Sequence, residues 1–274
     1  MIDVKPLPPV SQPRFVLSFD FDGTLHHPAE TPPVARRFFE VIEWLRRERD
    51  AVWGINTGRS MAHMVEGLLE SRFPFLPDWV VAREREIFVP NAFGRWLPVE
   101  DWNSRCEKEH VRLFRRAAKL LAAIRHEVEE HTGAQWIVEN GEPAGVIARS
   151  EEEMEWIAMR VAEMAVVEPT LGWQRNTIYL RFGDRKYQKG STLAEVSRRN
   201  RVAAAAVFAA GDSHNDLEML DPAVAGMLAC PVNAVPEVRE HVRARGGHVA
   251  TTPHSAGVIE ALEKYFGGAG LQGS

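Results

Sequence analysis

Cysteine is scarce in this sequence: only Cys106 and Cys230 occur among 274 residues. Two thiols exclude a disulfide scaffold and are typical of a reducing compartment, so we expect a cytoplasmic protein. Long hydrophobic runs are lacking, since no stretch reaches about 18 apolar residues, and we therefore expect no membrane-spanning helix. An excess of positive charge is lacking too. The 33 Lys and Arg against 38 Asp and Glu give a net charge of −5, which argues against a nucleic-acid partner.

The residues that are present have ordinary globular proportions, with 45% hydrophobic and 26% charged side chains. This length suits either one large domain or a domain that carries an insertion. Composition therefore excludes membrane proteins, disulfide scaffolds and basic nucleic-acid-binding proteins, and it does not choose among the remaining classes.

Strands alternate with helices in the first and last parts of the chain. Short apolar runs predict buried strands at Phe15–Phe19, Ala51–Asn56 and Trp79–Ala82, each separated from the next by a helical pattern. The same alternation resumes after Lys189, with a helix and then a strand over residues 206–210. Strands that alternate with helices predict an α/β fold with a parallel sheet.

The pattern changes over residues 84–184, where six short strands and two helices are predicted in the order typical of an antiparallel sheet with helices on one face. We expect hairpins over residues 86–99 and 169–182, the second turning at Arg175-Asn176. The predicted domains are thus a core of residues 1–83 and 185–274, interrupted by an α+β module.

Polar side chains follow three of the predicted strands and mark the point where the parallel pattern resumes: Asp20 with Asp22, Thr57, Lys189, and Asp212 with Asp216. Each alone is explained as a loop turn or a helix cap. In an open parallel sheet, however, ligands bind beyond the carboxyl ends of the strands. Four such signals in this order therefore predict a common site.

These residue types suit phosphoryl transfer. Buried carboxylates placed close together are costly, and a bound divalent cation is the usual remedy, so Asp20, Asp22 and Asp212 predict a Mg²⁺ site. One carboxylate can be the nucleophile, and the other can act as general acid and then as general base. Donors to the transferred group would be the Thr57 hydroxyl, the Gly58 amide and the Lys189 ammonium.

Four sequence motifs resemble those of the haloacid dehalogenase superfamily: Asp-Phe-Asp-Gly-Thr-Leu from Asp20, Thr57 in Asn-Thr-Gly-Arg, Lys189 in Gln-Lys-Gly, and Gly-Asp-Ser-His-Asn-Asp from Gly211. The resemblance implies that Asp20 is the nucleophile and Asp22 the acid and base. It also implies that Asp20, Asp22 (or a backbone carbonyl beside it) and Asp212 bind magnesium. Asp216 and Asn215 would orient the cluster and Lys189, with direct metal ligation by Asp216 left open. Arg59 has two interpretations, contact with a second anion of the substrate or a surface position at a helix start.

The spacing of the motifs indicates where an insertion lies. The 33 residues from Thr24 to Thr57 leave room for little beyond one helix and one strand, whereas the 132 residues from Thr57 to Lys189 far exceed a crossover. This position resembles the C2-type cap of subclass IIB, found in Cof-like sugar phosphatases and sucrose-phosphate phosphatase. The resemblance implies a Rossmann-like parallel-sheet core with an inserted α+β C2-type cap that selects the substrate.

We therefore predict a Mg²⁺-dependent phosphomonoesterase that acts on a small phosphorylated metabolite, in particular a sugar phosphate. Two alternatives stay open. One is a mutase-like phosphoryl transferase that passes the group to another alcohol, and the other is a non-catalytic protein that binds phosphorylated ligands. Release of free phosphate without an added acceptor distinguishes the hydrolase from both.

Overall fold

The computed structural model describes residues 4–139 and 142–267. Its strands, in chain order, are β1 (Phe15–Phe19), β2 (Ala51–Asn56), β3 (Trp79–Ala82), β4 (Glu86–Pro90), β5 (Trp96–Pro98), β6 (Gln135–Glu139), β7 (Glu142–Ile147), β8 (Leu171–Asn176), β9 (Tyr179–Asp184), β10 (Val207–Ala210), β11 (Met227–Cys230) and β12 (His248–Val249). Its helices are α1 (Arg36–Arg49), α2 (Met61–Glu70), α3 (Glu100–His131), α4 (Glu151–Met164), α5 (Lys189–Asn200), α6 (Pro236–Ala244) and α7 (His254–Phe266). Within the described residues, no helix is long and apolar enough to cross a membrane.

The first sheet has eight strands in the order β12-β11-β10-β1-β2-β3-β4-β5. Strand β1 lies between β10 and β2 and pairs in parallel with both, so that Leu17 faces Phe208 on one side and Trp53 on the other. The chain proceeds from β1 outward to β3 and later returns on the opposite side of β1. The carboxyl ends of β1, β2 and β10 consequently share one edge, at the point where the strand order reverses.

The central strands are largely apolar because both faces of the sheet are covered. All six residues of β2 are buried, and four of the five residues of β1 are buried. The aromatic rings of Phe19, Phe38 and Trp53 pack edge to face. The centroid of the Phe38 ring lies 5.2 Å from that of Phe19 and 5.6 Å from that of Trp53. This core fixes β1 against α1 and holds the end of β1 in place.

The hairpin of β4 and β5 corrects one prediction. It pairs antiparallel with β3, with Val80 opposite Phe88, and so extends the first sheet rather than joining the inserted sheet. The chain reverses at Arg83 and Glu84, which both adopt left-handed backbone conformations with φ of 50° and 65°. This turn lets β4 cover the otherwise open edge of β3. Residues 84–100 consequently belong to the first of two compact units.

The first unit comprises the chain up to Glu100, Lys189–Asp212 and the residues from Asp216 onward, and the second comprises Asp101–Gln188 with Ser213–Asn215. The second unit contains an antiparallel sheet in the order β6-β7-β9-β8. Apolar side chains of α3 and α4 form its core with those of the sheet. The predicted α/β fold with an α+β insertion is confirmed, although four strands rather than six form the inserted sheet. The second hairpin turns after Asn176, at Thr177, which has φ +49°, and not at Arg175-Asn176.

Helix α4 begins with a capping arrangement that yields a stability prediction. The Ser150 hydroxyl accepts a hydrogen bond from the Glu153 amide at 3.2 Å, and the Glu153 carboxylate accepts one from the Gly133 amide at 2.9 Å. Ser150→Ala should destabilise α4 by about 1 kcal/mol, which speeds hydrogen exchange of its amides about fivefold. Ser104→Ala, an exposed position within α3, is the matched control. Unchanged exchange in Ser150→Ala would show that the cap does not hold the helix.

Candidate active site

Three carboxylates meet at the carboxyl ends of β1 and β10. Asp20 directly follows β1, and its amide donates a hydrogen bond to the Ala210 carbonyl at the end of β10 at 2.9 Å. Asp212 and Asp216 lie in the loop after β10. One oxygen from each of Asp20, Asp212 and Asp216 lies within 4.8 Å of the other two. We call these three residues the carboxylate cluster.

Lys189 is the cation of this cluster. It is the first residue of α5 and is fully buried, and its ammonium donates hydrogen bonds to Asp20 Oδ1 and Asp216 Oδ1, each at 2.6 Å. The Asn56 side chain, at the end of β2, holds the Lys189 carbonyl with a hydrogen bond of 3.0 Å. Burial alone lowers the pKa of Lys189, but the carboxylates of Asp20 and Asp216 outweigh it and raise the pKa above its usual value. The ammonium therefore stays charged.

Short hydrogen bonds join the two loops that carry the cluster and hold the loop after β10 in shape. Thr24 Oγ1 donates a hydrogen bond to Asp212 Oδ1 at 2.6 Å, and the Asp212 amide donates one to Asp216 Oδ2 at 2.9 Å. Gly23 has φ +80°, and a Cβ at this position would collide with the Asp212 carboxylate. The glycine is therefore required both for the turn and for the close approach of the two loops.

The cluster carries more negative than positive charge when its three carboxylates are ionised, because Lys189 is a single cation. Burial raises the pKa of Asp20 well above its usual value, and the nearby Asp216 and Asp212 add to this effect while Lys189 opposes it. Burial and the Asp216 charge also raise the pKa of Asp212 to about 6. Convergent carboxylate oxygens with surplus negative charge fit a magnesium ion, which prefers oxygen ligands.

Magnesium binding to this cluster should depend on pH. Below pH 6 the Asp212 carboxyl is largely protonated and neutral, whereas above pH 6 it is an anion able to bind the cation. We expect affinity for Mg²⁺ to be about tenfold weaker at pH 5 than at pH 7, measured by titration calorimetry. Asp212→Asn should bind weakly at both pH values. Equal affinity of the wild type at pH 5 and pH 7 would contradict this assignment.

Asp22 lies outside the carboxylate cluster, so magnesium ligation by Asp22, or by a backbone carbonyl beside it, stays a prediction. Arg59 holds both of its carboxylate oxygens, through Nε at 2.7 Å and Nη2 at 2.6 Å. The Arg59 guanidinium also lies over the Phe21 ring, 4.9 Å from its centroid. Burial opposes the effect, but the adjacent His26 and Arg59 lower the pKa of Asp22 to about 2. Arg59 is thus neither a solvated surface residue nor free for a second anion in this arrangement.

Thr57 and Gly58 occupy the end of the neighbouring strand β2. Thr57 is buried, its amide donates to the Val81 carbonyl at 2.9 Å, and its hydroxyl accepts from the Arg59 amide at 3.1 Å. Asn215 is also buried, in the 3-10 turn His214–Asp216. The structure thus brings Asp20, Lys189, Asp212 and Asp216 into direct contact and places Thr57 on the adjoining strand.

Glu84 is a buried carboxylate near this site that the sequence interpretation missed. Its amide donates to the Thr57 carbonyl at 2.9 Å, and its own carbonyl accepts from Thr192 Oγ1 at 3.0 Å. Its charge contributes to the raised pKa of Lys189. Glu84 comes two residues after β3, as Asp212 comes two residues after β10. A carboxylate just beyond a buried strand was the signal available in the sequence.

A family model described as haloacid dehalogenase-like hydrolase matches residues 145–262 of this chain. The match includes Lys189, Asp212 and Asp216, three of the four residues whose side chains meet at the ends of β1 and β10. Over this part, less than half of its length, the chain is similar to haloacid dehalogenase-like hydrolases. A curated relative of this chain is a phosphoglycolate phosphatase from Methanothermobacter thermautotrophicus, 34% identical over 84 residues. That alignment covers 31% of this chain, which spans 35% of the relative's length.

Solved structures share the fold of this chain over most of their length. The sucrose-phosphatase from Synechocystis sp. PCC6803, in complex with sucrose and phosphate, has a TM-score of 0.69 at 15% identity, covering 93% of this chain and 99% of that one. YhjK from Bacillus subtilis, a haloacid dehalogenase-like hydrolase protein, has a TM-score of 0.65 at 18% identity, covering 97% and 96%. The subclass IIB sugar phosphatase BT4131 has a TM-score of 0.60 at 17% identity, covering 92% and 99%. At these identities the similarity concerns the fold.

Proposed function

We propose that this protein is a magnesium-dependent phosphomonoesterase that hydrolyses a small phosphorylated metabolite, in particular a sugar phosphate. One observation carries the proposal: Asp20, Asp212 and Asp216 converge around a fully buried Lys189 at the switch point of a parallel sheet. Such a centre combines a nucleophile, a fixed cation and oxygen ligands for a second cation. The family match and the fold support the same reaction class.

In the proposed reaction, an Asp20 oxygen attacks the phosphorus, and the bond from phosphorus to the leaving oxygen breaks to give an aspartyl-phosphate. Water then attacks this phosphorus and releases inorganic phosphate, which restores Asp20. Asp20, Asp212 and, directly or by positioning, Asp216 would hold magnesium, whose charge offsets that of the phosphoryl oxygens. Lys189, the Thr57 hydroxyl and the Gly58 amide would donate to those oxygens.

Asp22 is proposed as the proton carrier. With a pKa of about 2 in its pair with Arg59, Asp22 is ionised, which is the charge state that accepts the proton of the attacking water. Protonation of the leaving alkoxide needs the opposite charge state. We infer that the substrate phosphate competes for Arg59, so that Asp22 leaves the pair and its pKa rises toward the usual range. Asp22 then acts as the acid while it is released from Arg59, and as the base while it is paired with Arg59.

The sugar-phosphate assignment rests on the type of fold and on the names of its neighbours. Two of the structural neighbours are described as a sucrose-phosphatase and a sugar phosphatase, whereas the curated relative is a phosphoglycolate phosphatase. We propose that the second unit selects the organic part of the substrate, since the catalytic groups named above all lie outside it.

The test is a screen for phosphate release in the presence of Mg²⁺ across phosphorylated sugars, polyol phosphates, nucleotides, phosphoglycerates and phosphoglycolate. We expect turnover of sugar phosphates that requires no added acceptor and stops when EDTA removes the metal. Phosphate release only with an acceptor alcohol would favour a transferase. Binding of many esters without hydrolysis would favour a binding protein, and either result would overturn the proposal.

A further inference from the structure

A second cluster of ligand-type side chains lies in the first unit and shares no residue with the carboxylate cluster. His27 and Glu30 belong to the loop between β1 and α1, and His254 is the first residue of α7. One nitrogen or oxygen atom from each lies within 4.8 Å of the other two. The fold thus brings together two imidazoles and one carboxylate across more than two hundred residues of sequence. We call these three residues the histidine cluster.

The contacts within the histidine cluster leave one buried nitrogen without a partner. His254 Nδ1 and Glu30 Oε1 are 2.8 Å apart, and the rings of His27 and His254 lie face to face with centroids 4.2 Å apart. His27 Nδ1 is buried and has no hydrogen-bond partner. Buried polar atoms are nearly always partnered, so an isolated nitrogen on a ring of this cluster suggests a missing ligand. A purely structural contact between the side chains of Glu30 and His254 accounts for that pair and leaves His27 Nδ1 unexplained.

We propose that His27, Glu30 and His254 bind a divalent transition metal ion, with zinc the cation best matched to the ligands. Two imidazole nitrogens and one carboxylate oxygen suit Zn²⁺, whereas Mg²⁺ prefers oxygen ligands alone. The ion takes the place of the proton between His254 Nδ1 and Glu30. A neutral imidazole moves that proton to Nε2, whereas an imidazolium releases it to solvent. A metal lies in the plane of its imidazole, so one ring turns out of the stack. His27 can turn without losing a hydrogen bond at Nδ1.

The backbone around the cluster is held in place and connects it to the first motif. The Glu30 amide donates to the His27 carbonyl at 3.1 Å, and the His254 amide donates to Asn233 Oδ1 at 2.9 Å. The same Asn233 side chain donates through Nδ2 to the Gly23 carbonyl at 2.8 Å. A metal bound by the cluster would therefore brace the loop that follows Asp20 and Asp22. Glu30 also lines an open cavity of about 730 Å³, which gives an ion a route from solvent.

The test is zinc binding to the full-length protein, measured by competition with a chromophoric chelator in excess Mg²⁺, and cobalt binding measured by visible absorption. We expect one equivalent of Zn²⁺ that persists in Asp212→Asn, and a Co²⁺ spectrum typical of nitrogen and oxygen ligands in a low-coordinate site. His27→Gln and His254→Gln should each weaken zinc binding about tenfold or more. His126→Gln, whose side chain on α3 is 81% exposed, is the matched control and should bind as the wild type does.

Glu30→Gln gives a second test that leaves both imidazole rings in place. The Glu30 side chain is 39% exposed, so we expect the variant to fold. It should weaken zinc binding and leave the unfolding temperature of the metal-free protein near that of the wild type. Zinc affinity that is the same in wild type, His27→Gln and Glu30→Gln would overturn the proposal. Loss of the zinc equivalent in Asp212→Asn would also overturn it, because the ion would then belong to the carboxylate cluster.

Discussion

Asp20→Asn should lower the rate of Mg²⁺-dependent phosphate release by at least about 10⁴-fold, because an amide cannot form the proposed covalent intermediate. The amide keeps the size and nearly the shape of the carboxylate, so the fold should be retained. The assay measures the turnover of an aryl phosphate such as p-nitrophenyl phosphate, and the turnover of the best substrate from the screen.

Asp50→Asn is the matched control for this substitution. Asp50 is exposed at the end of α1 and has φ +52°, a backbone conformation that asparagine adopts readily. It should therefore retain full activity and full stability. Activity of Asp20→Asn within tenfold of this control would contradict the role of Asp20 as nucleophile.

Lys189→Met should lower the free energy of unfolding by about 3–5 kcal/mol when no metal is present. The side chain is fully buried between Asp20 and Asp216, so its removal leaves two carboxylates buried without their cation. Urea unfolding in EDTA measures the effect. The deficit relative to wild type should be smaller at pH 5 than at pH 8. Without Lys189, folding raises the pKa values of the two unpaired carboxyls still further. They therefore take up protons as the pH falls, and part of the lost stability returns.

Lys186→Met is the matched control, because the same side chain three residues earlier is 67% exposed and lies 3.2 Å from Glu109. This exposed pair should contribute no more than about 1 kcal/mol. The double variant Lys189→Met with Asp216→Asn should regain part of the stability, because one of the two stranded charges is removed. Equal stability of Lys189→Met and Lys186→Met would contradict the buried ion-pair account.

Much of the fold follows from local pattern, because the central strands are buried on both faces. The predicted bounds of Phe15–Phe19, Ala51–Asn56 and Trp79–Ala82 agree with those of β1, β2 and β3. Continuous apolar runs between turn residues leave few alternatives for such strands. The hairpin of β4 and β5 was wrongly assigned to the insertion, since the choice of sheet depends on a left-handed turn at Arg83 and Glu84. Non-glycine residues carry no clear sequence signal for that conformation.

The candidate site was predictable where it depends on strand ends and not where it depends on side-chain choice. Asp20 and Asp212 meet because β1 and β10 are parallel neighbours, and the alternation of strands with helices predicts that the carboxyl ends of such strands share one edge. Arg59 had two interpretations in sequence, contact with a second anion of the substrate or a surface position, and its bidentate pair with Asp22 depends on the distance between two loops. Glu84 lies near Thr57 only because β3 adjoins β2, and the meeting of His27 with His254 depends on the tertiary fold.

Trapping the covalent intermediate tests the central claim most directly. Acid quenching during turnover, followed by borohydride reduction, converts an aspartyl-phosphate into homoserine, which peptide mass spectrometry locates. We predict homoserine in place of Asp20 only when substrate and Mg²⁺ are both present, and none in Asp20→Asn. Rapid phosphate release with Asp20 unmodified, or with the reduced residue at another carboxylate, would contradict the account.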